Sequence, residues 1–261
     1  MLFFYLKIYL KQRFLVGYLG FVSLCLLGVP LLSRFSMRQV QELAVTMSLA
    51  CLSVSGLLLA ILLGAFSLWH DVDRRYVLCY LSLPVQRRVY VRSRFGASAI
   101  VLTAFLLIVG IVASLVIPIA SSFYPSERAF VWSTWLLAMV LIWLKSLLIL
   151  ALSLMLSSVA TSFFFPFCVS LAVYLAGGVT QQAHDYLHGS YGAQFSFALR
   201  WCVDLFYYVL PNFSLFDLTP QTVYSLTVDY GDQFMSIGYG MTYTFFLLWA
   251  AVAVFDRREI S

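Results

Sequence analysis

Charged residues are scarce in this chain. Lys, Arg, Asp and Glu make up 10% of the 261 residues, whereas hydrophobic residues make up 62%. Soluble globular domains contain roughly 25% charged and about 45 to 50% apolar residues. This composition excludes a sizeable soluble domain and a long disordered tail, so we expect residues 1–261 to form a single membrane domain.

The sequence also lacks the motifs of nucleotide binding and of metal-dependent catalysis. It contains no glycine-rich phosphate loop, because Lys145 and Ser146 follow Leu144 rather than a glycine. It contains no HExxH pattern, and its five cysteines show no CxxC spacing. We therefore expect no catalytic residue, no bound cofactor, no metal ion and no disulfide, and nothing in the composition indicates nucleic-acid binding.

Histidine is nearly absent as well. The three histidines, His70, His184 and His188, lie at the ends of apolar segments or between them. His184 and His188 have the i,i+4 spacing of two metal ligands on one helix face. Because no third ligand is evident, we expect a solvated or interfacial pair instead.

Long apolar runs fill most of the chain. A bilayer core about 30 Å thick requires roughly 20 helical residues. Six runs meet that length, namely 14–33, 43–69, 95–120, 130–157, 162–182 and 236–255. Since these runs are continuous rather than alternating, they favour helices over barrel strands. The predicted fold is an all-α polytopic membrane protein with six transmembrane helices.

The basic residues predict the orientation of these spans. With a cytoplasmic N-terminus, eleven Lys and Arg residues fall on the cytoplasmic side and four on the external side. Cytoplasmic loops of membrane proteins carry the excess of Lys and Arg. We therefore expect both termini in the cytoplasm and a location in the plasma membrane, the bacterial inner membrane being the expected one.

Two segments outside the spans have helical patterns. Residues 1–13 mix apolar residues with Lys7 and Lys11, as in a helix lying in the membrane interface, although a simple extension of the first span is the alternative. The external segment 183–235 contains an amphipathic helix that ends before Pro211 and is too short to span comfortably. We expect this helix to lie on the outer leaflet or to dip into it. Arg200 and Asp204 are spaced to pair along its polar side.

Two polar features lie within the spans. Lys145 falls near the middle of the fourth span, where a charge costs about 2.5 to 3.5 kcal/mol. It either lines a substrate pathway or makes a structural pair with a polar residue, unless the span is shifted so that Lys145 approaches an interface. Residues 53–56, SVSG, are similar to the GxSG motif of rhomboid-type intramembrane proteases, but no span supplies a histidine base. Small residues at a helix contact also explain this run.

The loop between the second and third spans carries a family resemblance. Asp71 and Asp73 precede the run LSLPVQRR at 81–88, and Arg94 stands at the entrance to the third span. This pattern resembles the ABC transporter permeases of the second exporter type, which have an acidic residue followed by a Leu-Ser-x-Pro-Val-x-Arg pattern. The sequences PNF at 211–213 and FDRREI at 255–260 are also similar to that family, so the resemblance extends over the whole chain. Arg74 and Arg75 stand where the family often has a Gly-Thr pair.

The resemblance implies a half-transporter that does not hydrolyse ATP itself. The loop 70–94 would be a coupling helix that docks on a separate ATPase subunit, present in two copies and binding ATP and magnesium. The residues implied in this coupling are Asp71, Asp73, Arg74, Arg75, Leu81, Pro84, Arg87 and Arg88. The arginines would alternatively fix the topology or bind anionic lipid headgroups.

The resemblance also implies a second permease chain, identical or related, and a pathway between the two chains. The external helix would cover that pathway as a gate. Its gate residues are Phe195, Leu199, Arg200, Asp204, Phe206 and Pro211. The alternatives from other classes are an intramembrane enzyme of the rhomboid kind, and a carrier or membrane scaffold that uses no ATP.

Overall fold

The chain is an all-α membrane protein. The computed structural model describes residues 13–33, 39–73, 87–122, 130–188 and 197–257, together with Tyr5, Lys7 and Tyr9. Six helices in these ranges are long and apolar enough to cross a membrane, which agrees with the number predicted from the sequence. The described ranges contain no β-strand.

The six long helices are α1 to α5 and α8. Their bounds are Arg13–Ser33 (α1), Val40–Asp73 (α2), Arg87–Ser121 (α3), Trp132–Val159 (α4), Phe164–His188 (α5) and Tyr230–Arg257 (α8). Most extend beyond the predicted spans, and α3 begins eight residues earlier than expected. Hydropathy detects only the part of a helix that lies in hydrocarbon, whereas the helix itself continues into the polar interface.

Between α5 and α8 the chain forms shorter elements. Helix α6 is Phe197–Val209, a 3-10 turn follows at Ser214–Phe216, and α7 is Thr219–Tyr224. Helix α6 ends just before Pro211, as predicted, because a proline disfavours helical conformation in the residue before it. The 3-10 turn and α7 were not predicted. Both pack against α4, and α7 also contacts α2, so this part of the segment enters the bundle instead of lying on its surface.

Helices α2 and α4 form the centre of the bundle. About two thirds of the most apolar window of each helix is buried, against 22% for α1, α5 and α8. Small residues allow the two central helices to approach closely. Ser153 and Ser157 of α4 donate hydrogen bonds of 3.0 Å to the carbonyl oxygens of Ile61 and Ala65. Gly64 has no room for a side chain, since an added Cβ would lie 2.6 Å from the Cβ of Ser153.

Candidate functional site

Lys145 lies at mid-length of α4, inside the helix bundle. Only 7% of the residue is exposed. Its Nζ donates a hydrogen bond of 2.7 Å to Ser53 Oγ of α2, and it lies 5.8 Å from the centre of the Tyr174 ring of α5. Three helices therefore position one ammonium group by a charge-assisted hydrogen bond and a cation–π contact.

The lysine borders a cavity of about 230 Å³. Helices α2, α4 and α5 form its walls, and residues 216–219 close one side. Asp217 is among those residues, and its Oδ1 accepts hydrogen bonds from the backbone N–H and the hydroxyl of Thr219. The cavity thus combines one cation, one carboxylate and several hydroxyl groups within mostly apolar walls.

This arrangement is suited to holding a polar or anionic group at mid-depth. An ammonium group in an apolar bundle attracts a phosphate, a carboxylate or a carbonyl oxygen, because water that would otherwise solvate it is scarce there. Sequence analysis identified Lys145 but not Tyr174 or Asp217 as its neighbours. Asp217 follows Lys145 by 72 positions, and no local spacing connects them.

Residues 53–56 lie at the predicted helix contact. An added Cβ on Gly56 would lie 2.8 Å from Ser146 Oγ and 3.1 Å from a methyl group of Leu106. Ser55 is buried, and its hydroxyl donates to the carbonyl oxygen of Leu52 in its own helix. Close packing therefore accounts for Ser55 and Gly56, while Ser53 has the additional contact with Lys145.

The first turn of α3 is bound to the last turn of α8. Arg88 Nε forms a 2.9 Å ion pair with Asp256 Oδ2, and Arg87 Nη1 donates to the carbonyl oxygen of Asp256 at 3.1 Å. Tyr90 stacks on Phe255 with 5.6 Å between ring centres. Two of the basic residues assigned to ATPase coupling therefore already make contacts within the chain.

The N-terminal segment packs on the same end of α3. Tyr5 and Tyr9 are helical and almost fully buried, whereas Lys7 is exposed. The guanidinium carbon of Arg94 lies 4.3 Å from the centre of the Tyr5 ring and 5.5 Å from that of Tyr9. Ser98 donates a 3.1 Å hydrogen bond to the Tyr9 hydroxyl. This part of 1–13 therefore rests on protein and does not lie on lipid alone.

The structure describes only some of the other predicted coupling residues. Asp71 and Asp73 belong to the last turn of α2, and their side chains are not described. Arg74, Arg75, Leu81 and Pro84 lie outside the described residues. Their role in coupling stays a prediction.

The structure likewise describes only some of the predicted gate residues. Phe195 lies outside the described residues, and Leu199 and Arg200 belong to α6 without described side chains. Phe206 is 56% exposed. Asp204 instead faces α5, where its Oδ1 lies 3.7 Å from the Nε2 atoms of both His184 and His188.

The segment after α6 is fastened to α5 and α8. Pro211 is buried, and the Asn212 side chain donates to Gln181 Oε1 at 2.6 Å. The backbone N–H of Asn212 donates to the Tyr239 hydroxyl at 3.1 Å, and that of Phe213 donates to the carbonyl oxygen of Gly177 at 3.2 Å. The PNF sequence at 211–213 thus serves as an anchor that leads the chain into the bundle.

The two histidines have a neighbour that the sequence did not reveal. Asp204 is the third potential ligand that was judged missing, and the ligand atoms of the three residues all lie within 4.8 Å of one another. The i,i+4 spacing of the histidines is visible in the sequence, but the aspartate comes from another helix.

Comparison of the sequence with models of known protein families and with functionally characterised proteins finds no match.

Proposed function

We propose that this chain is the permease subunit of an ATP-driven exporter of the second exporter type, a half-transporter that works with a separate ATPase. The proposal starts from the loop motif and the six spans. The observation that carries it further is the continuity of α3. This helix begins immediately after the LSLPVQ run and continues for 35 residues to Ser121.

A continuous helix transmits displacement along its length because its backbone hydrogen bonds join every turn. The first turn of α3 is also bound to Asp256 of α8 and packs on the buried N-terminal tyrosines. A force on the 70–94 loop would therefore reach α3, α8 and the N-terminal segment together. Helix α8 in turn packs along α4, the helix that carries Lys145.

In this proposal Lys145 and its cavity belong to the substrate pathway. The ammonium group would bind the polar head of an amphiphilic cargo, and the apolar walls would accept its remainder. The weakly buried helices α1, α5 and α8 would face lipid or a second permease chain. The proposed location is the bacterial inner membrane, with both termini in the cytoplasm.

The test is co-purification with a candidate ATPase subunit through a tag on this chain. Arg74→Glu combined with Arg75→Glu changes the loop charges and should release the ATPase, since charge pairs at an interface rim set register and encounter rate. Arg87 and Arg88 are unsuitable for this purpose because they contact Asp256 within the chain.

The matched control is Arg257→Glu combined with Arg258→Glu. It reverses two charges on the same predicted side of the membrane but outside the loop. Loss of the ATPase from the loop variant alone supports the proposal. Equal loss from both variants, or retention in both, would mean that the loop arginines act as topology signals or bind lipid headgroups.

A second candidate function is an intramembrane serine hydrolase, favoured by the 2.7 Å contact between Lys145 Nζ and Ser53 Oγ. A lysine can replace histidine as the base of a serine nucleophile. However, Ser53 lies in mid-helix in α2, where backbone N–H groups are bonded within the helix and cannot form an oxyanion hole. Labelling with a fluorophosphonate probe that Ser53→Ala abolishes would establish the hydrolase, whereas the permease proposal expects no labelling.

A further inference from the structure

Two histidines and one aspartate converge where α5 ends beside α6. His184 and His188 lie one turn apart on α5, and their rings stack with 4.3 Å between centres. Asp204 projects from α6 towards both rings. None of the three residues lines the Lys145 cavity.

The distances between these groups are too long for hydrogen bonds. Each Nε2 lies 3.7 Å from the same oxygen, Asp204 Oδ1, whereas N–H···O bonds are about 2.7 to 3.2 Å long. Zinc binds nitrogen and oxygen at about 2.0 to 2.2 Å, so neighbouring ligands of a tetrahedral ion lie roughly 3.3 Å apart. The separation of 3.7 Å is therefore close to that of two ligands with an ion between them.

One of the two rings, that of His188, has the second partner that metal-binding histidines usually have. His188 Nδ1 lies 3.1 Å from the carbonyl oxygen of His184, within hydrogen-bond distance. His184 Nδ1 lies 3.6 Å from Asp185 Oδ1, which is too long for a hydrogen bond, and this buried nitrogen has no hydrogen-bond partner among the described residues. A ring that donates through Nδ1 keeps its Nε2 lone pair free for a metal, and metal-bound histidines usually have such a second partner. Here both Nε2 atoms face Asp204.

The aspartate oxygen itself is left without a partner. Asp204 Oδ1 is buried and accepts no hydrogen bond from any described residue. The Tyr207 ring stacks on His184 at 4.3 Å and covers one side of the group. A buried carboxylate oxygen without a donor is costly, and a bound cation would satisfy it.

We propose that His184, His188 and Asp204 bind a zinc ion that joins α6 to the end of α5. Two imidazoles and one carboxylate are a ligand set that suits zinc, and three protein ligands leave a fourth position for water or another donor. The ion would fix α6 against the bundle while its exposed residues, among them Trp201 and Phe206, face outwards. This site stands apart from the proposed transport function, because metal binding requires no ATPase and no cargo.

The experiment uses the full chain in detergent, purified through a tag that contains no histidine and stripped with a chelator. Zinc is then titrated in competition with a chromophoric chelator. We expect one zinc ion per chain. His184→Ala, His188→Ala and Asp204→Asn should each weaken binding by more than about 100-fold, since loss of an outer partner alone costs 10- to 100-fold.

Two variants serve as matched controls. His70→Ala removes the remaining histidine, which belongs to α2, and Cys202→Ser removes an exposed thiol two positions from Asp204. Both should bind zinc like the parent chain. Cobalt provides a second measurement, since a tetrahedral site produces intense visible absorption that Asp204→Asn should abolish while the protein elutes unchanged in gel filtration.

Absence of zinc binding in the parent chain would overturn the proposal. So would binding that survives in all three ligand variants, or that is lost in either control. In those cases Asp204 would only offer its charge to nearby imidazoles.

Discussion

Substitution of Lys145 by methionine tests whether this lysine has a functional role or only a structural one. Methionine is unbranched and fills nearly the same space without the charge. Its introduction removes a cost of about 2.5 to 3.5 kcal/mol for a lysine at the centre of a span. It also removes a hydrogen bond to a charged group, worth about 1.5 to 3 kcal/mol.

These two contributions have opposite signs and similar sizes. The Ser53 hydroxyl, once released, can donate to a carbonyl oxygen in the preceding turn of its own helix, as serines in membrane helices do. No polar group is then left unsatisfied at this position. We therefore expect Lys145→Met to change the free energy of unfolding by no more than about 1 kcal/mol.

Removal of the hydroxyl instead of the ammonium group should have a different effect. Ser53→Ala keeps the charge but deletes the acceptor 2.7 Å from Nζ. A buried group that loses its partner costs about 1 to 3 kcal/mol. Ser53→Ala should therefore destabilise the protein more than Lys145→Met, although it removes only one oxygen atom.

Equilibrium unfolding in mixed micelles of a mild detergent and a denaturing one measures both variants. If the chain is the proposed permease, Lys145→Met should also abolish the stimulation of ATP hydrolysis by cargo in the complex with the proposed ATPase, while that complex remains intact. A loss of more than about 2 kcal/mol in Lys145→Met would refute this reasoning. Lys145 would then be a structural partner of Ser53, and the cavity would lose its assigned role.

Three further changes test the packing that surrounds the site. Gly177→Ala should destabilise the protein by about 1 to 3 kcal/mol, because the new methyl group would clash with the backbone of the PNF anchor. The control is the adjacent Gly178→Ala, where the added methyl group has open space. In thermal unfolding this control should be neutral or slightly stabilising. Gly64→Ala should lower the free energy of unfolding by a similar amount, about 1 to 3 kcal/mol, because the methyl group would push α2 away from α4. Gly178→Ala again serves as the control. Arg88→Asp should cost at most about 1 kcal/mol, because Arg88 is largely exposed, and the reciprocal change Asp256→Arg should restore the loss in a double-mutant cycle. An undiminished effect in the double variant would show that the pair does not interact.

The sequence was sufficient for the class of fold and the number of spans. Apolar runs of 20 residues have few alternatives to a membrane helix, so length alone placed α1 to α5 and α8. The helix ends were less predictable. For example, the first turns of α3 contain Arg87, Arg88 and Arg92, so their hydropathy is that of a loop. Proline correctly predicted the end of α6 before Pro211, whereas Pro30 and Pro118 lie inside α1 and α3.

Sequence patterns did not predict which residues of different helices are in contact. Ser53 was noted for its place in SVSG and Lys145 for its charge, yet nothing local indicated that they touch. The spacing of their contact is explained only once α2 and α4 are known to be neighbours that run in the same direction. Ser153 with Ile61 and Ser157 with Ala65 continue the same line of contact, each pair 92 residues apart, as are Lys145 and Ser53.

That constant separation has a physical origin. In two antiparallel helices, contacting residues have a constant sum of positions, whereas a constant difference requires the two helices to run in the same direction. Helices α2 and α4 therefore run parallel. They are the second and fourth spans, and α3 crosses the membrane in the opposite direction between them along the chain. Successive contacts are eight and four residues apart on each helix, and these multiples of four place all three contacts on one face. Serine is the α4 residue at two of the three contacts, because its hydroxyl can reach a carbonyl oxygen of α2 across a close helix contact. Lys145 is the α4 residue at the third contact, at mid-length of α4, where the cavity lies.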